Sequence, residues 1–272
     1  MIQVTKNVYV EPGIAACNLG LISTKEGVVL IDTPMQPTVA LQWRSEASKK
    51  GEIRYLINSE EHVDHWQTCH FYPGLLISHS ETRRCLAEES VESVKQRVKN
   101  IDPAGMNLMG DYKIRLADMT FDDGMEIHLG DHTFRLFPLP GHSVGGMGIY
   151  IPQEGVVFTA DVLFHKVKSW LHESNPEKWI ASLRRLEKLD VESFVPGHGA
   201  PCKKEYLKEQ AGIVEQWVEA VKRAIKQGLP LEEAQTKISC PDPYPKEPGK
   251  VFITDAELNR QIIARLYRLY SV

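Results

Sequence analysis

Long apolar runs are missing: no stretch of the 272 residues approaches the ~20 that a membrane-spanning helix needs. A basic excess is missing too. The formal net charge is −4 and the pI about 6.2, so no basic face advertises nucleic acid. Cysteine is sparse and unpatterned. Cys17, Cys69, Cys85, Cys202 and Cys240 are odd in number and scattered, and no two stand as CxxC, so reduced thiols in a cytoplasm are expected. Met1 to Lys6 lacks the apolar core of a secretory signal. There is no internal repeat, no low-complexity tract and no Walker-type glycine loop.

What is present is ordinary globular material. With 42% hydrophobic and 25% charged residues, a chain of this length can bury a large core without disulfides. Ile2–Val4, Val8–Val10 and Asn18–Ser23 read as strands. Gly27–Ile31 is a near-continuous apolar run ending in Asp32, the pattern of a strand buried on both faces. A helix over 39–50, a strand over 53–57, a strand over 74–78 and a charged helix over 81–98 follow. Residues 101–118 have no period and read as a long loop or broken helix, a kind of segment that is often functional. A hairpin turns at Gly130-Asp131, a second strand pair spans 146–159, and a helix over 177–189 precedes a last short strand at 193–195. Beyond Cys202, helices over 203–226 and 255–270 flank a passage with Pro241, Pro243, Pro245, Pro248 and Gly249. The expected division is a main domain over 1–205 and a helical extension over 206–272 packed on it.

The chemistry concentrates in Ser59-Glu60-Glu61-His62-Val63-Asp64-His65, between the strand ending at Asn58 and a helical turn expected at Trp66-Gln67-Thr68. Alternation in an extended segment would point Glu60, His62 and Asp64 one way and His65 another. Ligands that split between two directions suggest two ions. A solvated, charged loop is the plain alternative. Three further stretches weigh against it: Pro140-Gly141-His142, Thr159-Ala160-Asp161 and Pro196-Gly197-His198-Gly199 each put a ligand-type residue directly after an apolar strand.

In these motifs the chain resembles the metallo-β-lactamase fold superfamily over about residues 1–205. That family carries H-x-H-x-D-H after a strand, then a Pro-Gly-His turn, a Gly-Asp turn and a Pro-Gly-His-Gly turn. The resemblance implies an α/β architecture, an αβ/βα four-layer sandwich, with the site at one edge. It implies that Glu60, His62 and His142 hold one metal ion, that Asp64, His65 and His198 hold a second, that Asp161 bridges them and that Asp32 supports them. Two departures stand out: Glu60 replaces the family's first histidine, and Ala160 replaces the usual glycine before the bridging aspartate.

The implied activity is dinuclear metal-dependent hydrolysis of a small ester, thioester, lactone or amide by a metal-bound hydroxide, with Asp64 as the catalytic residue orienting it. A diiron oxidoreductase or oxygenase on the same fold is the alternative. Two divalent ions are expected, zinc first, with iron or manganese favoured more than usual by the oxygen donor of Glu60. Candidate pocket residues are Trp66, Met106, Met109, Tyr112, Phe164, His165, Lys168 and Trp170. The expected partners are a small-molecule substrate and a second copy of the chain in a homodimer, with neither nucleic acid nor membrane.

Overall fold

The fold is seen in a computed structural model, which describes residues 1–12, 17–247 and 253–271. Pro248 and Gly249 of the proline-rich passage lie outside the described residues. A seven-stranded sheet holds β1 (Ile2–Gln3), β2 (Val8–Glu11), β3 (Leu19–Thr24), β4 (Gly27–Ile31), β5 (Ile53–Asn58), β6 (Leu75–His79) and β7 (Met119–Phe121) in sequence order. Its first four strands pair antiparallel and β4 to β7 run parallel. A five-stranded sheet is built from β8 (Met125–Leu129), β9 (His132–Pro138), β10 (Met147–Ile151), β11 (Val156–Phe158) and β13 (Ser193–Val195). There β13 joins β11 in parallel and the other pairs are antiparallel. A small parallel pair, β12 (Phe164–His165) and β14 (His198–Gly199), sits beyond them.

The helices are α1 (Pro37–Ser48), α2 (Val63–Trp66), α3 (Ser80–Ala87), α4 (Val91–Ile101), α5 (Pro176–Glu187), α6 (Tyr206–Lys226), α7 (Leu231–Lys237) and α8 (Asp255–Tyr270). Three apolar cores separate the layers. Ile31, Ile57 and Ile77 of the larger sheet meet Phe134, Ile149 and Phe158 of the smaller one. Trp43 of α1 and Val94 and Val98 of α4 cover the larger sheet with Leu30 and Leu56. Trp179 of α5, Trp217 of α6 and Ile262 of α8 cover the smaller sheet with Val157 and Phe194. The chain is thus a four-layer αβ/βα sandwich, with its C-terminal helices sharing one outer core with α5.

One element differs from its sequence reading. The helix expected over 81–98 is two helices, because the Ser90 hydroxyl accepts the Ser93 amide at 3.4 Å and opens a new N-terminus. Residues 101–118 are the broken helix and loop expected, with one short 3-10 stretch at Pro103–Leu108, but they are tied down at several points. Asp102 ends α4 and accepts from the Thr38 amide of α1 at 2.9 Å, while Met109 and Tyr112 are buried against the larger sheet.

The strand order brings the C-terminal ends of β4, β5, β9, β11 and β13 to one edge. Close packing there depends on Gly141, where φ is +145° and an added Cβ would stand 2.2 Å from the Trp179 backbone. Gly141 also accepts the Asn175 amide at 2.7 Å, which seats the start of α5. Gly141→Ala should therefore cost ~2–4 kcal/mol through strain and overpacking. Thermal unfolding of the variant checks this.

Candidate metal centre

Each ligand-type residue follows a strand that ends at this edge. β4 runs into Asp32, which takes the left-handed conformation (φ 59°). Its strain is held by three bonds: Asp32 accepts the Ser59 amide at 2.7 Å, the Ser59 hydroxyl at 2.5 Å and faces His65 Nδ1 at 2.9 Å. β5 runs into Ser59 and Glu60. The alternation expected through Asp64 stops at His62, because α2 begins at Val63. Helical rotation, not strand alternation, turns Asp64 and His65 inward. β11 runs into Ala160, which holds φ 46° where a glycine would rest unstrained, and then Asp161. β13 runs into the 196–199 turn, which the buried Asn18 clamps by donating to the Pro196 and Gly199 carbonyls at 2.8 and 2.7 Å.

The side chains meet in overlapping groups. Glu60, His62 and His142 bring their ligand atoms together, as do Asp64, His65 and His198, and Glu60, His65 and Asp161 link the two. Asp161 stands between: its Oδ1 is 3.3 Å from His65 Nε2, and its Oδ2 is 3.5 Å from His142 Nε2 and 3.1 Å from His198 Nε2. Three of the imidazoles turn their other nitrogen to a carboxylate. His65 Nδ1 faces Asp32, His198 Nδ1 faces Glu247 at 2.7 Å, and His62 Nε2 faces Glu173 at 3.2 Å. A proton held on the outer nitrogen leaves a bare lone pair on the inner one.

This arrangement fits bound cations. The buried atoms His65 Nε2 and Asp161 Oδ1 have no hydrogen-bond partner and face each other across the cluster. Imidazole and carboxylate donors suit zinc, iron or manganese. Cys17 also approaches Asp32 and His65; burial pushes its thiol pKa well up, and the thiol donates to the Asp64 carbonyl at 3.1 Å.

Without ions the cluster competes for protons. Burial, then the charge of Asp161, raises the Glu60 carboxyl. Burial opposes charge on His62, yet Glu60 and Glu173 outweigh it and hold the ring well above its usual pKa. Burial is likewise outweighed at His65 by Cys17, Asp161, Asp32 and Glu60. Asp161 would be raised by burial, but His198 and His65 hold it well below the usual carboxylate range. Burial and the neighbouring His62 lower His142.

A cavity of about 400 Å³ opens over this floor, with Met35, Val63, Ile101, Phe164 and Trp170 as apolar walls. Of the expected pocket residues, Phe164 and Trp170 line it. Trp66 is 1% exposed and donates its indole N–H to the Glu61 carbonyl. Met106 and Met109 pack in the core beneath the larger sheet, where the Tyr112 hydroxyl donates to the Gln67 carbonyl. His165 faces the Ala200 carbonyl and packs edge-on against Tyr206, and Lys168 pairs with Asp255 at 3.2 Å. These large side chains went to the core or to local partners. Missed by the sequence reading were Arg97, Asn100 and Ile101, whose i, i+3, i+4 spacing on α4 signals one face, and Met35, His172, Glu173 and Glu247. Gly141-His142-Ser143-Val144-Gly145 matches the serine-hydrolase pattern in spelling only. No helix follows it, and the buried Ser143 hydroxyl donates to Glu60 Oε2 at 3.1 Å.

Because the neighbouring carboxylates hold His62 and His65 well above the usual imidazole pKa, metal loading should release protons near neutral pH. Affinity should fall as the pH is lowered through the raised histidine pKa values. Calorimetric zinc titrations in buffers of different ionisation enthalpy measure the release, and a buffer-independent heat would contradict it.

A family model described as the metallo-beta-lactamase superfamily matches residues 77–198, a span that contains His142, Asp161 and His198 but not the Glu60–His65 stretch. Among curated proteins, the hydroxyacylglutathione hydrolase of Bartonella henselae is 32% identical over 99 residues, 36% of this chain and 37% of that protein. The human acyl-coenzyme A thioesterase MBLAC2 is 25% identical over 211 residues, 70% of this chain and 75% of that protein. The chain thus spans little more than a third of the hydroxyacylglutathione hydrolase that it matches. A metallo-beta-lactamase family protein of Thermus thermophilus shares the fold with a TM-score of 0.68 at 18% identity, over 98% of this chain and 94% of that one. Residues 77–198 thus match the metallo-β-lactamase superfamily, and the chain as a whole has the fold of a protein of that family.

Proposed function

We propose that the chain is a dinuclear metal-dependent hydrolase of a small ester, thioester, lactone or amide. The observation that carries this reading is the pair of ligand groups sharing Asp161 at the floor of an apolar-walled cavity. On this reading Glu60, His62 and His142 hold one ion, Asp64, His65 and His198 the other, and Asp161 both. Bound divalent ions supply Lewis acidity, acidifying a water molecule toward pKa ~7 and polarising an acyl oxygen.

The chain's own groups do the rest. Asp64 lines the cavity floor with one carboxylate oxygen 3.4 Å from His198 Nε2, a position from which it can orient an attacking water and take up its proton. Asp32 and Glu247 keep the inner nitrogens of His65 and His198 bare. Met35, Val63, Ile101, Phe164 and Trp170 exclude bulk water and suit the hydrocarbon part of a substrate. The cavity's size suits a small molecule, and the two relatives named above have thioesters in their names, which supports an acyl substrate.

The metal reading turns on Glu60. It adds a negative charge and a hard oxygen where an imidazole would be neutral, which favours iron or manganese more than an all-imidazole site does. Zinc is the first expectation. The Glu60 oxygen is also what favours the second reading, a diiron oxidoreductase. A cytoplasmic setting is proposed from the cysteines, which are all free, and no described helix is long and apolar enough to cross a membrane. Homodimer formation is proposed with them, as is the absence of a nucleic-acid partner.

Turnover of an ester or thioester in oxygen-18 water should place label in the acid product and continue without dioxygen. An activity that stops when oxygen is excluded would replace this reading with the oxidative one.

A further inference from the structure

The carboxylate that steadies His198 comes from the far end of the chain. His198 presents Nε2 to Asp64 and Asp161 and turns Nδ1 to Glu247 Oε2 at 2.7 Å. The Gly199 amide donates to the other oxygen, Glu247 Oε1, at 3.4 Å. The Glu247 side chain is 17% exposed, so this pairing is mostly shielded from water. It repeats on one sheet what Asp32 does for His65 on the other.

The segment that delivers Glu247 is pinned. The Lys168 amide donates to the Pro245 carbonyl at 2.8 Å, and the Ser169 amide to Asp242 Oδ2 at 2.8 Å. Asp242 Oδ1 accepts the Tyr244 amide at 3.0 Å, and the Tyr244 hydroxyl donates to Glu209 on α6. Residues 168–169 follow β12, whose partner β14 carries His198. Residues 242–247 are therefore built onto the same corner as the ligand they support.

We propose that Glu247 is a positioning residue of the metal centre, a role that rests on the ligand reading above. An acceptor on Nδ1 selects the tautomer whose Nε2 lone pair faces the cluster, fixes the ring's direction and makes that nitrogen more basic. The consequence is that retention of the ion held by Asp64, His65 and His198 depends on the C-terminal segment. The ion held by Glu60, His62 and His142 depends on it less.

The test uses the full chain and zinc(II) alone. Zinc affinity of the parent, Glu247→Ala and Glu247→Gln is measured by competition with a chromogenic chelator. Cobalt(II) spectra and melting of the metal-free chains are recorded beside it. Removing such a partner should weaken one of the two ions about 10–100-fold. The cobalt spectrum should change, the metal-free melting should not, and Glu247→Gln, which keeps an acceptor, should recover part of the loss. Two ions held at parental affinity with a parental cobalt spectrum would overturn the role of Glu247 while leaving the metal centre standing. Equal loss of both ions that follows a lowered metal-free melting temperature would overturn it too, by showing a structural role alone. A parent chain that binds no zinc would overturn the ligand reading and this role with it.

Discussion

Three carboxylates and four imidazoles, Glu60, Asp64, Asp161, His62, His65, His142 and His198, crowd one edge between two sheets. Burying an unpaired charge costs several kcal/mol, so a protein assembles such a group only where cations or a dense hydrogen-bond web offset the cost. Much of the local backbone answers to this crowding. Asp32 and Ala160 hold left-handed conformations that L-residues avoid, and both lie beside the cluster. Gly197 has no room for a side chain, since a Cβ there would meet Asp161 Oδ1 at 1.8 Å. His142 is wedged edge-on against Trp179, with ring centres 5.2 Å apart. The layers around the edge keep these positions fixed: Ile31, Ile57, Phe158 and Val195, the last or nearly last residues of their strands, are all buried in the core between the sheets.

What was legible in the sequence followed from short range. Apolar runs such as 27–31 and 193–195 announce buried strands, and a ligand-type residue placed directly after one must emerge at a sheet end. The long helix 206–226 and the helix 255–270 were visible from their period. The break at Ser90 was written in a capping residue but hidden among charges. Direction within the 59–65 stretch departs from alternation at Val63, because one turn of helix replaces two residues of strand. The pocket was least legible. Trp66, Met109 and Tyr112 are large and apolar, and the core had more use for them than the cavity did. Glu173 and Glu247 carry no periodic signal, and their partners lie 111 and 49 residues away, so only the tertiary fold shows them.

Glu60 is the departure from the motif pattern that the chain otherwise resembles, and its surroundings show how a carboxylate is accommodated there. One carboxylate oxygen lies 2.5 Å from His62 Nδ1 and 3.7 Å from His142 Nε2, and the other accepts the Ser143 hydroxyl. The neighbouring Glu61 takes a separate role, accepting the Val144 and Gly145 amides at 2.8 and 3.0 Å, and so ties the motif to the His142 turn. The extra anion therefore sits in a frame of donors rather than loose in a loop. The same frame floors the apolar cavity above it.

The central claim is that two ions share Asp161 at this edge. Crystals of metal-loaded protein, measured at the zinc, iron and manganese absorption edges, test it directly and identify the metal. The account predicts two anomalous peaks ~3.5–4 Å apart. One should lie among Glu60, His62 and His142 and the other among Asp64, His65 and His198, with the Asp161 carboxylate between them. A single peak, or peaks away from these side chains, would contradict it.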